Sequence, residues 1–240
     1  MAESVHQPPV QMSPAPSVGR LGRTLIALLL VAALAPIALP FMSADFPQGH
    51  DATAHITNLY RFDRAFSQGQ FPVRWVEGIR DGRGQPLFNF YQVGFYYFVE
   101  VIHQFGATLS VAIKAAPVLL WWLAALFMYF LLRPYGSVAA AAGTLTFALS
   151  PYLIVDVFVR AAYPEFTAIA FSIGALWAAD SFLRTGNRAS LACAALAWAA
   201  MLISHLPATL IVLPMFVLHA AYRAMATPGA PARLPWPWMR

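Results

Sequence analysis

The sequence predicts an all-α integral membrane protein: a polytopic bundle of about six transmembrane helices, with a long outer loop carrying interfacial helices. Three observations lead there. Hydrophobic residues make up 60% of the chain and charged residues only 10%, where a soluble domain carries about a quarter charged. Apolar runs of the roughly 20 residues needed to cross a bilayer recur along the chain. Arg133, then Arg184 and Arg188, then Arg223 and Arg233 fall at alternate ends of those runs, and cytoplasmic loops collect Lys and Arg.

The same numbers exclude other classes. Mean hydropathy is +0.61, too apolar for a water-soluble globule. The formal charge of +5 is an orientation signal. Without a Lys/Arg-rich stripe it gives no reason to expect a nucleic-acid partner. Cys193 is the single cysteine, so no intrachain disulfide forms.

Residues 1–20 hold Pro8, Pro9, Pro14 and Pro16 among Ser, Gln and Ala, with no apolar period. They read as a disordered cytoplasmic tail. Arg20 and Arg23 precede the uncharged run Thr24–Ala44, which is longer than the roughly 7–15-residue core of a signal peptide. An uncleaved first span with a cytoplasmic N-terminus is the expectation. The membrane domain then covers 21–223, with spans at 22–42, 113–132, 136–155, 165–183, 189–204 and 206–222. The last two divide an uncharged stretch that would run about 50 Å as one helix, against a hydrocarbon core of about 30 Å. Ser204-His205-Leu206-Pro207 breaks it. Residues 224–240 form a Pro-rich cytoplasmic end.

Segment 88–106 has five Phe and three Tyr and could be a seventh crossing. The alternation of basic residues holds only if it does not cross, so it is read as a helix lying in the interface. The long loop 43–112, the turn 156–164 and the break at His205 then share one face of the membrane.

Three polar knots on that face, around Asp51, around Glu165 and at His205, and the loop at Arg74 could carry chemistry. In "GHDATAHI" a helix beginning near Asp51 places Ala52, Ile56, Leu59, Phe62 and Phe66 on an apolar face, with Asp51, His55 and Asn58 in a polar stripe beside it. Read locally, helix capping accounts for Asp51 ahead of catalysis. His50, Asp51 and His55 are a weak candidate metal set, since no dense ligand set follows. In "FPVRWVEGIRDGRGQPL" Arg74 is an interfacial anchor or a bidentate phosphate ligand. In "DVFVRAAYPEF", Asp156, Arg160 and Glu165 interrupt two apolar spans, where ionisable groups are functional candidates by default. Glu165 behind Pro164 also fits an ordinary helix start. His205 is either a satisfied buried histidine or a site residue.

Taken in order, "GHDATAHI", "GQFPVRWVEGIRDGRGQPLFNFYQVGFYYFV", "SPYLIVDVFVRAAYPEF" and "ISHLPATLIVLPMF" resemble the bacterial membrane domain called 6-pyruvoyl-tetrahydropterin synthase-related. That domain is similar to the GT-C superfamily of polytopic glycosyltransferases. The resemblance runs from about residue 22 to 222.

It implies a multi-pass protein of the bacterial inner membrane with its site on the periplasmic face. The donor would be a sugar on a polyprenyl phosphate, with membrane lipid as the other partner and a divalent metal as an option. The first essential acid falls on Asp51, the second on Glu165 or, less well, Asp156. His55 or Glu165 would orient Asp51, Arg74 or Arg160 would hold the phosphate, and His205 would line the cavity. GT-C proteins usually have more than six spans, so the chain reads as a truncated or split frame or a partial module. A transporter or flippase for polyprenyl-linked lipid, and a noncatalytic scaffold subunit, are the competing classes.

Overall fold

The computed structural model describes residues 19–226 apart from 44 and 47. Nearly all of the expected tail and the Pro-rich end lie outside these residues. Among the described residues no strand forms beyond one antiparallel bridge, Val76 with Gln85.

α1 (Arg20–Leu34) continues as tighter 3₁₀ turns over Ala35–Met42. Pro36 and Pro40 lack the amide that an α-helix needs there. The outer loop carries α2 (Ala52–Ser67), α3 (Leu87–Phe90) and α4 (Gly94–Gln104). Between α2 and α3, Gly78, Gly82 and Gly84 turn the chain with positive φ.

α5 (Leu109–Leu132) starts at Thr108, whose hydroxyl accepts from the Val111 amide at 3.3 Å. α6 (Ser137–Ala148) follows, then α7 (Pro151–Val155) and a π-helical segment Asp156–Arg160. α8 (Tyr163–Thr185), α9 (Arg188–Ser204) and α10 (Leu206–Ala226) complete the order.

Among the described residues five helical segments are long and apolar enough to cross a membrane: Arg20–Met42, Leu109–Tyr135, Ser137–Arg160, Tyr163–Thr185 and Leu206–Arg223. α9, the sixth expected span, is apolar but has 17 residues. At 1.5 Å per residue it reaches about 25 Å, short of the roughly 30 Å core. The aromatic segment 88–106 resolves into α3 and the 11-residue α4, neither long enough to cross.

α8 is the centre of the bundle, packed on α4, α5, α9 and α10. Its small residues let neighbours approach, as at membrane helix interfaces generally. Ala168, Ala170, Ala175 and Ala178 are buried, and a Cβ on Gly174 would come within 2.6 Å of the Phe127 ring. Trp121 of α5 donates from Nε1 to the Ala148 carbonyl at 3.1 Å, tying α5 to α6.

The two ends of the bundle differ. At one end Asp180, 5% exposed, receives Arg184 Nε at 2.8 Å, Arg223 Nε at 2.9 Å and His219 Nε2 at 3.2 Å. The turn 156–165 and the break at His205 lie at the other end.

Candidate functional site

The site begins with the way α7 ends. The π-helical segment widens the turn and closes on Ala161 in the left-handed region, φ +55°. The Ala162 amide reaches back to the Asp156 carbonyl at 2.9 Å. A helix end leaves carbonyls without intrahelical partners. Here the outer loop supplies them: the His50 amide donates to the Val159 carbonyl and the Asp51 amide to the Arg160 carbonyl, each at 3.0 Å. Gly49 makes this approach feasible, since a Cβ there would stand 2.7 Å from the Ala161 Cβ. The motif "GHD" is thus bound by its backbone to the knot "DVFVRAAYPEF".

Asp51 occupies the position before α2, but its side chain accepts no hydrogen bond from the first-turn amides. Its backbone, φ −100° and ψ 1°, is not the extended conformation of a capping residue. The carboxylate is exposed, and its charge acts on His55, Tyr91 and Tyr96.

His55, one turn along α2, is 1% exposed, so it lies beneath the surface rather than on it. Its Nδ1 is 2.9 Å from the Tyr96 hydroxyl, and its ring packs among Tyr91, Phe95 and Tyr163. Burial lowers its pKa to about 4, against the opposing pull of Asp51 and the Ala161 backbone. The ring is therefore neutral at physiological pH. Burial also raises Tyr96, and raises Tyr91 with help from the Asp51 charge.

Beside Asp51, Arg160 joins two acids. Its Nη1 contacts Asp156 Oδ1 at 2.6 Å and its Nη2 contacts Glu165 Oε2 at 2.9 Å. Asp156 is fully buried, and its Oδ2 has no hydrogen-bond partner. The Tyr152 hydroxyl donates to the other Glu165 oxygen. Two acids and one guanidinium leave one formal negative charge, so Arg160 acts first to hold Asp156 and Glu165. His205 lies within electrostatic reach of Glu165 and Arg160. It also starts α10, because its Nδ1 accepts from the Ala208 amide at 3.2 Å.

The structure therefore forms two side-chain groups, Asp51 with His55 and Asp156, Arg160, Glu165 and His205, joined by the backbone pairing of His50 and Asp51 with Val159 and Arg160. Arg74 forms no hydrogen bond or ion pair with either group among the described residues. It lines a separate open pocket of about 440 Å³ with Pro72, Val73, Phe88, Asn89 and Val93. Among the described residues the ligand atoms of His50, Asp51 and His55 do not come together as a metal set, whereas those of Asp63, Glu100 and His103 do. Tyr96, Tyr152 and Tyr163 were also unforeseen, because in an aromatic-rich chain a tyrosine near the interface looks like an anchor.

Fold and site together define a multi-pass helical membrane protein that collects acids, histidines and one arginine at one end of its bundle. Nothing matches the chain among protein-family models, curated proteins or solved structures.

Proposed function

We propose that the chain is a GT-C-like glycosyltransferase, or the N-terminal portion of one. It transfers a sugar from a polyprenyl-phosphate-linked donor at the non-cytoplasmic face of a bacterial inner membrane. α9 is the short sixth crossing, and α2 to α4 lie along the interface. The observation that carries this reading is the backbone pairing of His50 and Asp51 with Val159 and Arg160. It ties the segment that carries an exposed carboxylate not used in capping to the segment whose second acid, Glu165, is held by Arg160 and Tyr152.

Asp51 takes the proton of an acceptor hydroxyl, as a positioned carboxylate base does. The acceptor oxygen forms a bond to the anomeric carbon. The bond from that carbon to the phosphate oxygen breaks, and the polyprenyl phosphate leaves with the electron pair. The cation for that phosphate is Arg160, whose guanidinium is partly exposed at the site, or Arg74, which lines a separate pocket. Glu165 and His205 line the acceptor side, and buried His55 positions Asp51's helix.

The test is transfer of radiolabelled sugar from polyprenyl-phosphate hexose in membranes holding the full chain. Asp51→Asn should lower the rate by about 100-fold or more at unchanged protein level. Equal rates remove Asp51 from the reaction. Cysteine labelling near Asp51, Ala162 and His205 checks the topology, and opposite faces for Asp51 and Ala162 would end this site.

A further inference from the structure

The outer-loop helices α2 and α4 pack through Phe62 on Tyr96 and Tyr97, and through Phe66 on Tyr97. On the same seam Asp63 of α2 meets Glu100 and His103 of α4. Glu100 and His103 are three residues apart and so share one helix face. One ligand-type atom from each of the three residues lies within 4.8 Å of the others.

We propose that Asp63, Glu100 and His103 form a divalent-metal site, best suited to Zn²⁺, that joins α2 to α4. Two observations besides proximity point to a cation. Glu100 is 2% exposed; Gln104 Nε2 donates to its Oε1 at 2.6 Å, while its Oε2 is buried with no partner. A buried acceptor left unsatisfied is costly, and a metal ion at the seam supplies what this oxygen lacks. The second observation is the ring of His103. Its Nδ1 is 2.6 Å from the Ala107 carbonyl, and a carbonyl only accepts, so Nδ1 carries the proton. In the neutral ring the lone pair is then on Nε2, which stands 3.7 Å from Asp63 Oδ1. A histidine held through its other nitrogen by a backbone carbonyl has the usual arrangement of a metal ligand.

The ligand chemistry selects the ion. One imidazole nitrogen and two carboxylates, without thiolate, suit Zn²⁺ with water in the fourth position. Ligand atoms about 2.0–2.2 Å from zinc stand about 3.3–3.6 Å apart in a tetrahedron, so the seam needs to close by about 1 Å. Both carboxylates together balance the ion's charge. The site is separate from Asp51 and holds the shape of the outer loop, and it stands whether or not sugar transfer does.

The experiment uses the full chain, freed of any affinity tag, in detergent micelles, titrated with Zn²⁺ against a chromophoric chelator. One Zn²⁺ per chain is expected, with affinity falling about 100-fold or more in Glu100→Gln, His103→Gln and Asp63→Asn, and unchanged in His50→Ala. Zn²⁺ should raise the thermal midpoint of the parent and of His50→Ala, but of none of the three ligand variants. Asp63 is only partly buried, so Asp63→Asn remains informative if Glu100→Gln does not fold. No binding by the parent chain overturns the proposal, as does undiminished binding by Asp63→Asn. Either result leaves Glu100 with Gln104 as its partner at the seam.

Discussion

The Asp51 amide donates to the Arg160 carbonyl at 3.0 Å, across 109 residues of sequence. The bond ties the start of α2 to the arginine that holds Asp156 and Glu165. It is made by backbone, so the side chains of both residues remain available for other contacts.

The docking has a steric condition that can be tested by a pair of substitutions. Gly49→Ala places a methyl group 2.7 Å from the Ala161 Cβ, and overpacking of this kind costs about 1–3 kcal/mol. Ala161→Gly removes that Cβ and relieves a left-handed residue, a conformation that costs about 1–2 kcal/mol for residues other than glycine. Gly49→Ala should lower the thermal midpoint in detergent, and the double variant should recover most of the loss. A double variant no more stable than Gly49→Ala would show that the contact is not the limiting one.

Arg160→Ala should be among the most damaging single changes at this end of the bundle. It leaves the fully buried Asp156 without its cation, and because Arg160 itself is partly exposed the cost falls below the about 3–5 kcal/mol of a fully buried pair. Adding Asp156→Asn should restore much of the folded yield, because the buried charge is then gone. Size-exclusion profiles and thermal midpoints of the single and double variants check this. An undamaged Arg160→Ala would mean that Asp156 is not charged in the folded protein.

His55 predicts an acid-sensitive step. Its folded pKa, about 4, lies below the ordinary value near 6.5, so between these values the unfolded chain binds a proton that the folded chain does not. Stability contributed by neutral His55 is complete above about pH 6.5 and is lost as pH falls toward 4. The shift is worth about 3 kcal/mol. Unfolding midpoints from pH 7.5 to 4 should fall in the parent, and the slope over that window should be shallower in His55→Gln. Parallel curves would exclude His55 as the source.

Gly94 opens α4 where it touches the end of α9. A Cβ there would stand 2.1 Å from Ser204 Oγ, 2.8 Å from Ser204 Cα and 2.9 Å from its amide nitrogen. Gly94→Ala should therefore destabilise by about 1–3 kcal/mol or more. Ser204→Ala should not rescue it, because two of the three contacts are to backbone. Full rescue would mean that the hydroxyl alone sets the spacing.

The spans were legible because bilayer thickness leaves a coarse length signal, and Arg184, Arg188 and Arg223 marked their ends. Ser204-His205-Leu206-Pro207 was legible as a break for the same reason. α9 is short because it is confined between Asn187, whose side chain accepts from the Ala189 amide, and the break at His205. Asp51 was legible as a helix start, yet its unused capping capacity was not, since that depends on where Arg160 offers a carbonyl. The π-helical turn after Val155 leaves no residue signature of its own. Asp63 stayed hidden because its partners are two turns of a different helix; Glu100 and His103 at i and i+3 were the visible half of that pattern.

Asp180 gives the bundle a fixed hinge. Its contacts with Arg223 and His219 rivet the far end of α8 to the far end of α10, while the chain between them is severed as a helix at His205. At its other end α10 is tied to α9 instead, through Thr209 Oγ1 on the Met201 carbonyl at 3.3 Å. Cutting the Asp180 contacts would therefore release the far end of α10 from α8 while leaving its start on α9.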